Sequence, residues 1–134
     1  PKSTKEINFQ GRTVFIIDDD HRVRASMHNL MRSWGCNSIC GESAEDVLKQ
    51  FKSSSTNNVV SLLLVDYRLR DDMTGGDAIQ QVRRALDEQT PAIIITGDTA
   101  TDRIIEAQSV DALLLHKPAS ANQLRRMMQA LLLK

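Results

Sequence analysis

The chain has 134 residues and a mass of 15.0 kDa, which is enough for one domain with a substantial buried core. Its 17 Lys and Arg residues balance its 17 Asp and Glu residues, which argues against a basic nucleic-acid module and against a polybasic membrane binder. The sequence contains no apolar run of about 18 residues and no apolar signal-peptide core, so we expect neither a transmembrane span nor secretion.

Short β-rich runs alternate with helical patterns along the chain. The runs are bounded by turn-forming or acidic residues and are predicted to be strands, the second being the weakest. In chain order the predicted strands are Thr13–Ile17, Ser38–Gly41, Val59–Val65, Ala92–Thr96 and Ala112–Leu115. The predicted helices are one from Val23 that stops at Gly35, one capped by Ser43, one carrying Ile79, Val82 and Leu86 after a loop at 67–76, one over Thr101–Ser109, and one capped by Ser120.

This alternation predicts the fold class. Apolar strands that are each followed by a helix indicate a parallel sheet covered on both faces, which right-handed crossovers make a doubly wound α/β sandwich. We divide the chain into an N-terminal extension or linker at 1–11 and one domain at 12–134. Cys36 and Cys40 are too few for a disulfide framework and too isolated for a zinc site, so we expect reduced thiols in a cytoplasmic protein.

Polar residues stand at four of the predicted strand ends. They are the Asp18-Asp19-Asp20 run, Asp66, Thr96 and Lys117. Ligands of an open α/β sheet bind at the carboxyl ends of its strands, so these residues should converge. Two carboxylates about 4 Å apart repel each other by roughly 4 kcal/mol at an effective dielectric constant of about 20, so the cluster requires a divalent cation, a lysine or raised pKa values.

The chemistry of this predicted site suits a hard cation and a phosphoryl group. Carboxylates without Cys or His partners favour Mg²⁺ or Mn²⁺. Lys117 and the Thr96 hydroxyl can hold phosphoryl oxygens beside a carboxylate nucleophile. We expect Asp20 to cap the following helix rather than to bind the metal.

These motifs resemble those of the receiver domain of two-component response regulators. The matches are the acidic end of the first strand, Leu64-Val65-Asp66, Ile95-Thr96-Gly97 and Lys117-Pro118, in order over residues 12–133. The resemblance implies a CheY-like fold with five strands in the order 2-1-3-4-5. Asp66-Tyr67-Arg68-Leu69, Met73-Thr74-Gly75 and Leu115-His116-Lys117-Pro118 resemble in particular the C-terminal receivers of hybrid sensor histidine kinases.

The resemblance also implies roles for individual residues. Asp66 is the expected phosphoacceptor, taking its phosphoryl group from a phosphohistidine on a histidine kinase or a histidine phosphotransfer protein. Asp18, Asp19, Asp66 and the backbone carbonyl of Arg68 are the expected ligands of Mg²⁺. Thr96 and Lys117 are expected to hold phosphoryl oxygens. The implied protein is a signalling domain rather than a conventional enzyme, although its site speeds its own phosphorylation and dephosphorylation.

Several positions qualify this interpretation. Arg68 and Asp98 flank the site, and we expect them to pair and restrict water. The loop from Asp66 to Gly75 is one residue longer than in many receivers, with Arg70 where proline is common, which predicts a less rigid loop. Leu114 replaces the aromatic residue that many receivers use as a switch. The fourth helix, fifth strand and fifth helix form the expected face for a homodimer or effector.

Other functions fit the residues less well. A receiver that is never phosphorylated and serves as a protein-binding module is the main alternative, and the intact Asp66, Asp19 and Lys117 argue against it. An aspartyl phosphatase would need a Thr two residues after the second Asp of an Asp-x-Asp pair on the first strand, and the run at 18–22 does not provide one. In a flavodoxin-like site the carboxylates would repel the flavin phosphate.

Overall fold

The structure is a computed structural model, and it describes residues 9–54, 59–97 and 101–132. Strands and helices alternate strictly within these residues, as predicted. The strands are β1 (Thr13–Ile17), β2 (Asn37–Gly41), β3 (Val60–Asp66), β4 (Ala92–Thr96) and β5 (Leu113–His116). The helices are α1 (His21–Ser33), α2 (Ala44–Ser53), α3 (Gly75–Leu86), α4 (Thr101–Ser109) and α5 (Ala121–Leu132).

The strands form one parallel sheet in the order β2-β1-β3-β4-β5, which confirms the predicted fold class and strand order. In the register of the sheet, Asp66 of β3 lies beside Ile95 of β4, and Thr96 lies beside His116 of β5. The carboxyl ends of these strands therefore meet at one edge, where the polar residues were expected to converge.

Apolar side chains fill both sides of the sheet. Phe15 and Ile17 of β1 pack with α2, α3 and α4, whereas Val14 and Ile16 pack with α1 and α5. Alternate residues of a strand point to opposite faces, so a strand that is apolar throughout serves both cores. The Met27, Met31 and Trp34 series of α1 belongs to the second core. Cys36 and Cys40 are free thiols.

Side-chain caps determine where several helices begin. The predicted caps Asp20, Ser43 and Ser120 each accept a hydrogen bond from a backbone N–H of the first turn. Thr74 and Asp77 form a capping box, so α3 begins at Gly75, inside the segment predicted to be loop. β3 and β5 lie one residue later than predicted at both ends, and Val59 is 71% exposed.

The packed unit begins before Thr13. Phe9, in the segment predicted to be an extension or linker, is fully buried, and its ring centroid lies 6.0 Å from that of Trp34. Residues 1–8 lie outside the described part of the chain. Among the helices of the described residues, none has both the length and the apolar character needed to cross a bilayer.

Helix α4 presents more apolar surface to solvent than core burial explains. Its buried residues are Arg103 and Ala107, whereas Ile104 is 43% and Ile105 59% exposed. Leu113 on the neighbouring β5 is 37% exposed. Core packing, which accounts for most of the apolar residues of α5, therefore does not account for these three.

Candidate functional site

Three carboxylates meet at the carboxyl edge of the sheet. One oxygen from each of Asp18, Asp19 and Asp66 lies within 4.8 Å of the other two. Asp18 is buried, Asp19 is exposed and Asp66 is half-buried, so the cluster opens to solvent on one side. Oxygen donors at this separation, without thiol or imidazole partners in the cluster, fit a hard divalent cation.

The start of α1 fixes Asp18. The backbone N–H of Asp20 donates to Asp18 Oδ1 over 2.9 Å, and Arg24 Nη1 donates to the Asp18 carbonyl oxygen over 2.7 Å. These bonds explain why the second and third residues of the aspartate run differ in role. Asp19 points to the cluster, while Asp20 caps the helix and holds Asp18.

A lysine forms an ion pair with one of the carboxylates. Lys117 Nζ lies 3.0 Å from Asp66 Oδ1, with the Asp66 side chain 11% and the Lys117 side chain 41% exposed. The Lys117 backbone N–H donates to the Thr96 carbonyl oxygen over 2.8 Å. Thr96 is 2% exposed at the end of β4. The structure thus brings these three predicted residues to the same edge.

The remaining predicted residues border this edge. Arg68 forms a β-bridge with Thr74 across the β3–α3 loop, and its side chain is exposed. Asp98 lies outside the described residues, so the expected pairing with Arg68 stays a prediction. Arg70, where proline is common, pairs with Glu42 over 3.1 Å. Leu114 is half-buried against the core that contains α4.

Burial and mutual repulsion shift the proton affinities of the cluster. Burial raises the pKa of Asp18 from 3.8 to about 6, against the hydrogen bond from Asp20, and the Asp66 and Asp19 charges add to the rise. Burial also raises the pKa of Asp66, although Lys117 opposes it. Burial alone would lower the pKa of Lys117, but the hydrogen bond and charge of Asp66 outweigh it and the net pKa is raised.

We expect the raised Asp18 pKa to make stability pH-dependent when no divalent cation is present. The folded state holds this proton more tightly than the unfolded state, so the stabilisation is complete below pH 3.8 and is lost as the pH rises through about 6. In urea unfolding, the free energy of unfolding of the unsubstituted protein should fall relative to that of Asp18→Asn by on the order of 3 kcal/mol between pH 4 and pH 7. Parallel pH profiles for the two proteins would contradict the assignment.

A second group of residues beside the cluster was not foreseen from the sequence. The Tyr67 hydroxyl donates to Glu106 Oε1 over 3.1 Å, and the backbone N–H of Gly76 donates to Glu106 Oε2 over 3.0 Å. The Arg103 guanidinium carbon lies 4.0 Å from the Tyr67 ring centroid. The only available signal was a tyrosine directly after Asp66, and nothing local links it to residues nearly 40 positions later.

The fold and this edge together define the class of protein: a doubly wound α/β domain with a carboxylate cluster and a lysine at the carboxyl ends of its strands. The chain belongs to the response regulator receiver domain family, whose sequence model matches residues 14–129. It is therefore a receiver domain of two-component signalling, as its motifs predicted.

Curated relatives agree with this membership. The chain is 30% identical over 123 residues to the autoinducer 1 sensor kinase/phosphatase LuxN of Vibrio campbellii, which covers 92% of this chain and 14% of LuxN. It is 34% identical over 108 residues to nodulation protein W of Bradyrhizobium diazoefficiens, covering 78% of this chain and 44% of that protein. The chain thus spans less than half the length of these relatives.

Solved structures share the fold. The chemotaxis protein CheY4 of Vibrio cholerae superposes with a TM-score of 0.77 at 20% identity, covering 91% of this chain and 99% of that chain. The receiver domain protein from Clostridium thermocellum gives a TM-score of 0.76 at 20% identity, covering 90% and 94%. At this identity the likeness establishes the CheY-like fold alone.

Proposed function

We propose that this domain accepts a phosphoryl group onto Asp66 and changes conformation in response. The observation that carries the proposal is the position of the half-buried Asp66 carboxylate, which lies within 4.8 Å of an oxygen of Asp18 and of Asp19 and 3.0 Å from the Lys117 ammonium. A nucleophile so placed has a cation 3.0 Å away to stabilise added negative charge. Membership of the receiver family supports the same reading.

The proposed transfer needs little from the protein beyond positioning and charge. A carboxylate oxygen of Asp66 attacks the phosphorus of a phosphohistidine. The new P–O bond forms as the P–N bond breaks, and the electron pair returns to the imidazole nitrogen, which takes a proton from solvent. Lys117 and the Thr96 hydroxyl hold phosphoryl oxygens. Water later attacks phosphorus and releases the Asp66 carboxylate, and the same groups speed that step.

The proposed cofactor is Mg²⁺ or Mn²⁺, held by the carboxylates of Asp18, Asp19 and Asp66 and the backbone carbonyl of Arg68. When bound, it supplies positive charge that offsets the carboxylates and the phosphoryl oxygens. The oxygen-only cluster fits such an ion. Arg68 and Asp98 are proposed to modulate the lifetime of the phosphoryl group by limiting access of water.

The proposed donor is a histidine kinase or a histidine phosphotransfer protein. The similarity to the sensor kinase LuxN and the motifs of hybrid-kinase receivers support this choice. The exposed Ile104, Ile105 and Leu113 support a homodimer or effector face on α4, β5 and α5, because exposed apolar patches mark interaction sites.

The proposal predicts phosphorylation that requires both Mg²⁺ and Asp66. Intact-protein mass after incubation with acetyl phosphate should rise by one phosphoryl group with Mg²⁺ and stay unchanged with EDTA. Asp66→Asn should abolish the gain, because an amide is not a nucleophile for this transfer. Asp87→Asn, at an exposed residue after α3, serves as the matched control and should be phosphorylated normally.

A gain in mass that survives Asp66→Asn would overturn the assignment of the acceptor. No gain from acetyl phosphate or from phosphoramidate, with Mg²⁺ binding still measurable by isothermal calorimetry, would instead favour a receiver that binds partners without being phosphorylated.

A further inference from the structure

Helix α4 is attached to the site by polar contacts. Both Glu106 oxygens are used: one accepts from the Tyr67 hydroxyl over 3.1 Å, and the other from the Gly76 N–H at the start of α3 over 3.0 Å. One turn earlier, Arg103 lies over the Tyr67 ring and donates from Nη1 to the Tyr67 hydroxyl over 3.2 Å. We call Tyr67, Arg103 and Glu106 the α4 clasp.

The Tyr67 end of the clasp is rigid. Its backbone N–H donates to Ile95 of β4 over 2.9 Å, and its carbonyl accepts from Gly75 over 2.7 Å. A Cβ on Gly75 would stand 2.8 Å from the Asp66 carbonyl oxygen, so the Asp66–Tyr67 peptide is packed against the first residue of α3. The backbone of Tyr67, directly after the proposed phosphoacceptor, is therefore held in place.

Helix α4 itself buries little apolar surface. Ala107 is the only apolar residue of α4 that is buried, and Ile104 and Ile105 face solvent. A helix that lacks a broad buried apolar face belongs to the low-stability part of a structure. The clasp therefore has a large share in fixing where α4 sits.

Two routes connect α4 to the site, and they act in opposition. Thr96 ends β4, and α4 is the next element of the chain, so we expect a phosphoryl group that draws the Thr96 hydroxyl towards it to displace α4 as well. The clasp resists that displacement at Arg103 and Glu106. The half-buried Leu114 has no ring or polar group with which to take over the coupling.

We propose that the α4 clasp holds α4 in its unphosphorylated position and that phosphorylation of Asp66 is coupled to opening of the clasp. The inference rests on the proposed function of Asp66 and adds the regulation of that site. Contacts that exist only in the unphosphorylated state favour that state by their own free energy. Weakening the clasp should therefore increase the affinity for a ligand that binds the phosphorylated conformation more tightly.

The test uses two variants that open the clasp from opposite sides. In Glu106→Gln the side chain keeps one oxygen, whereas both the Tyr67 hydroxyl and the Gly76 N–H donate to Glu106 oxygens in the unsubstituted protein. Gly76→Ala puts a Cβ that would overlap Glu106 Oε2, while alanine is the better helix former, so this variant should stay folded. Glu88→Gln, at an exposed residue after α3, is the matched control.

The readout is the affinity for beryllium fluoride, a tetrahedral phosphoryl mimic, measured with Mg²⁺ by isothermal calorimetry. Both clasp variants should bind it about five- to tenfold more tightly than the unsubstituted protein, in the range of measured allosteric couplings. Amide hydrogen exchange of Thr101–Ser109 without the mimic should also be faster in the variants, with α5 unchanged. A purely structural contact would lower stability but leave the affinity as it was.

Unchanged or weaker affinity in a folded clasp variant, with normal phosphorylation of the unsubstituted protein, would overturn the coupling and leave the proposed function standing. If the unsubstituted protein were neither phosphorylated nor able to bind the mimic, the proposed function would fail first, and the coupling would fail with it.

Discussion

Lys117→Gln is expected to slow phosphorylation of Asp66 by about 10²–10³-fold at saturating Mg²⁺, the range measured when one fixed charge-stabilising donor is removed from an active site. Lys117 Nζ lies 3.0 Å from Asp66 Oδ1, so its charge acts where negative charge accumulates during transfer. Glutamine keeps a hydrogen-bond donor of similar length but removes the charge. The rate would be followed by intact mass with acetyl phosphate as donor.

The control for this substitution is Lys52→Gln in the last turn of α2, which changes the net charge equally at an exposed position. It should leave the rate within a factor of two. A Lys117→Gln protein that is phosphorylated within a few-fold of the normal rate would show that the ammonium group does not stabilise the transfer.

Phe9→Ala is expected to destabilise the domain by about 3–5 kcal/mol, the usual cost of removing a buried aromatic ring. Phe9 is fully buried in the same core as Met31, its ring centroid lies 6.0 Å from that of Trp34, and Cys36 Sγ lies 3.7 Å from its carbonyl oxygen. Since domains of this kind are stable by about 5–15 kcal/mol in total, the loss should be plain in urea unfolding followed by Trp34 fluorescence.

Val59→Ala is the control, because this side chain is 71% exposed and its truncation should change the unfolding free energy by less than about 0.5 kcal/mol. If Phe9→Ala cost less than about 1 kcal/mol, residues before Thr13 would contribute little to the fold, in agreement with the predicted boundary at residue 12.

The elements that could be predicted from the sequence are those with local causes. The strand Thr13–Ile17 is recognisable because a β-rich run with four consecutive apolar residues ends at an aspartate run. Ser43 and Asp20 indicate helix starts because capping is a contact within one turn. The converging edge was predictable as well, since parallel strands place their carboxyl ends together whatever the side chains are.

The features that escaped prediction depend on contacts between distant residues. Phe9 belongs to no periodic element, so its burial could not be read from spacing. Arg103 is 9% exposed although it is charged, because the Tyr67 ring covers its guanidinium. The start of α3 at Gly75 was placed too late, because glycines are poor helix formers and the Thr74 cap was not recognised.

The composition of the acidic cluster has a consequence for the whole domain. Asp18 follows β1 and Asp66 ends β3, far apart in the chain, so an unfolded polypeptide does not hold their oxygens within 4.8 Å. An ion that binds this cluster therefore binds only the native state. By mass action, a free concentration 100 times the dissociation constant adds about 2.7 kcal/mol to the free energy of unfolding. The free Mg²⁺ concentration would then determine how often the domain unfolds and becomes accessible to proteases, as well as the rate of its phosphorylation.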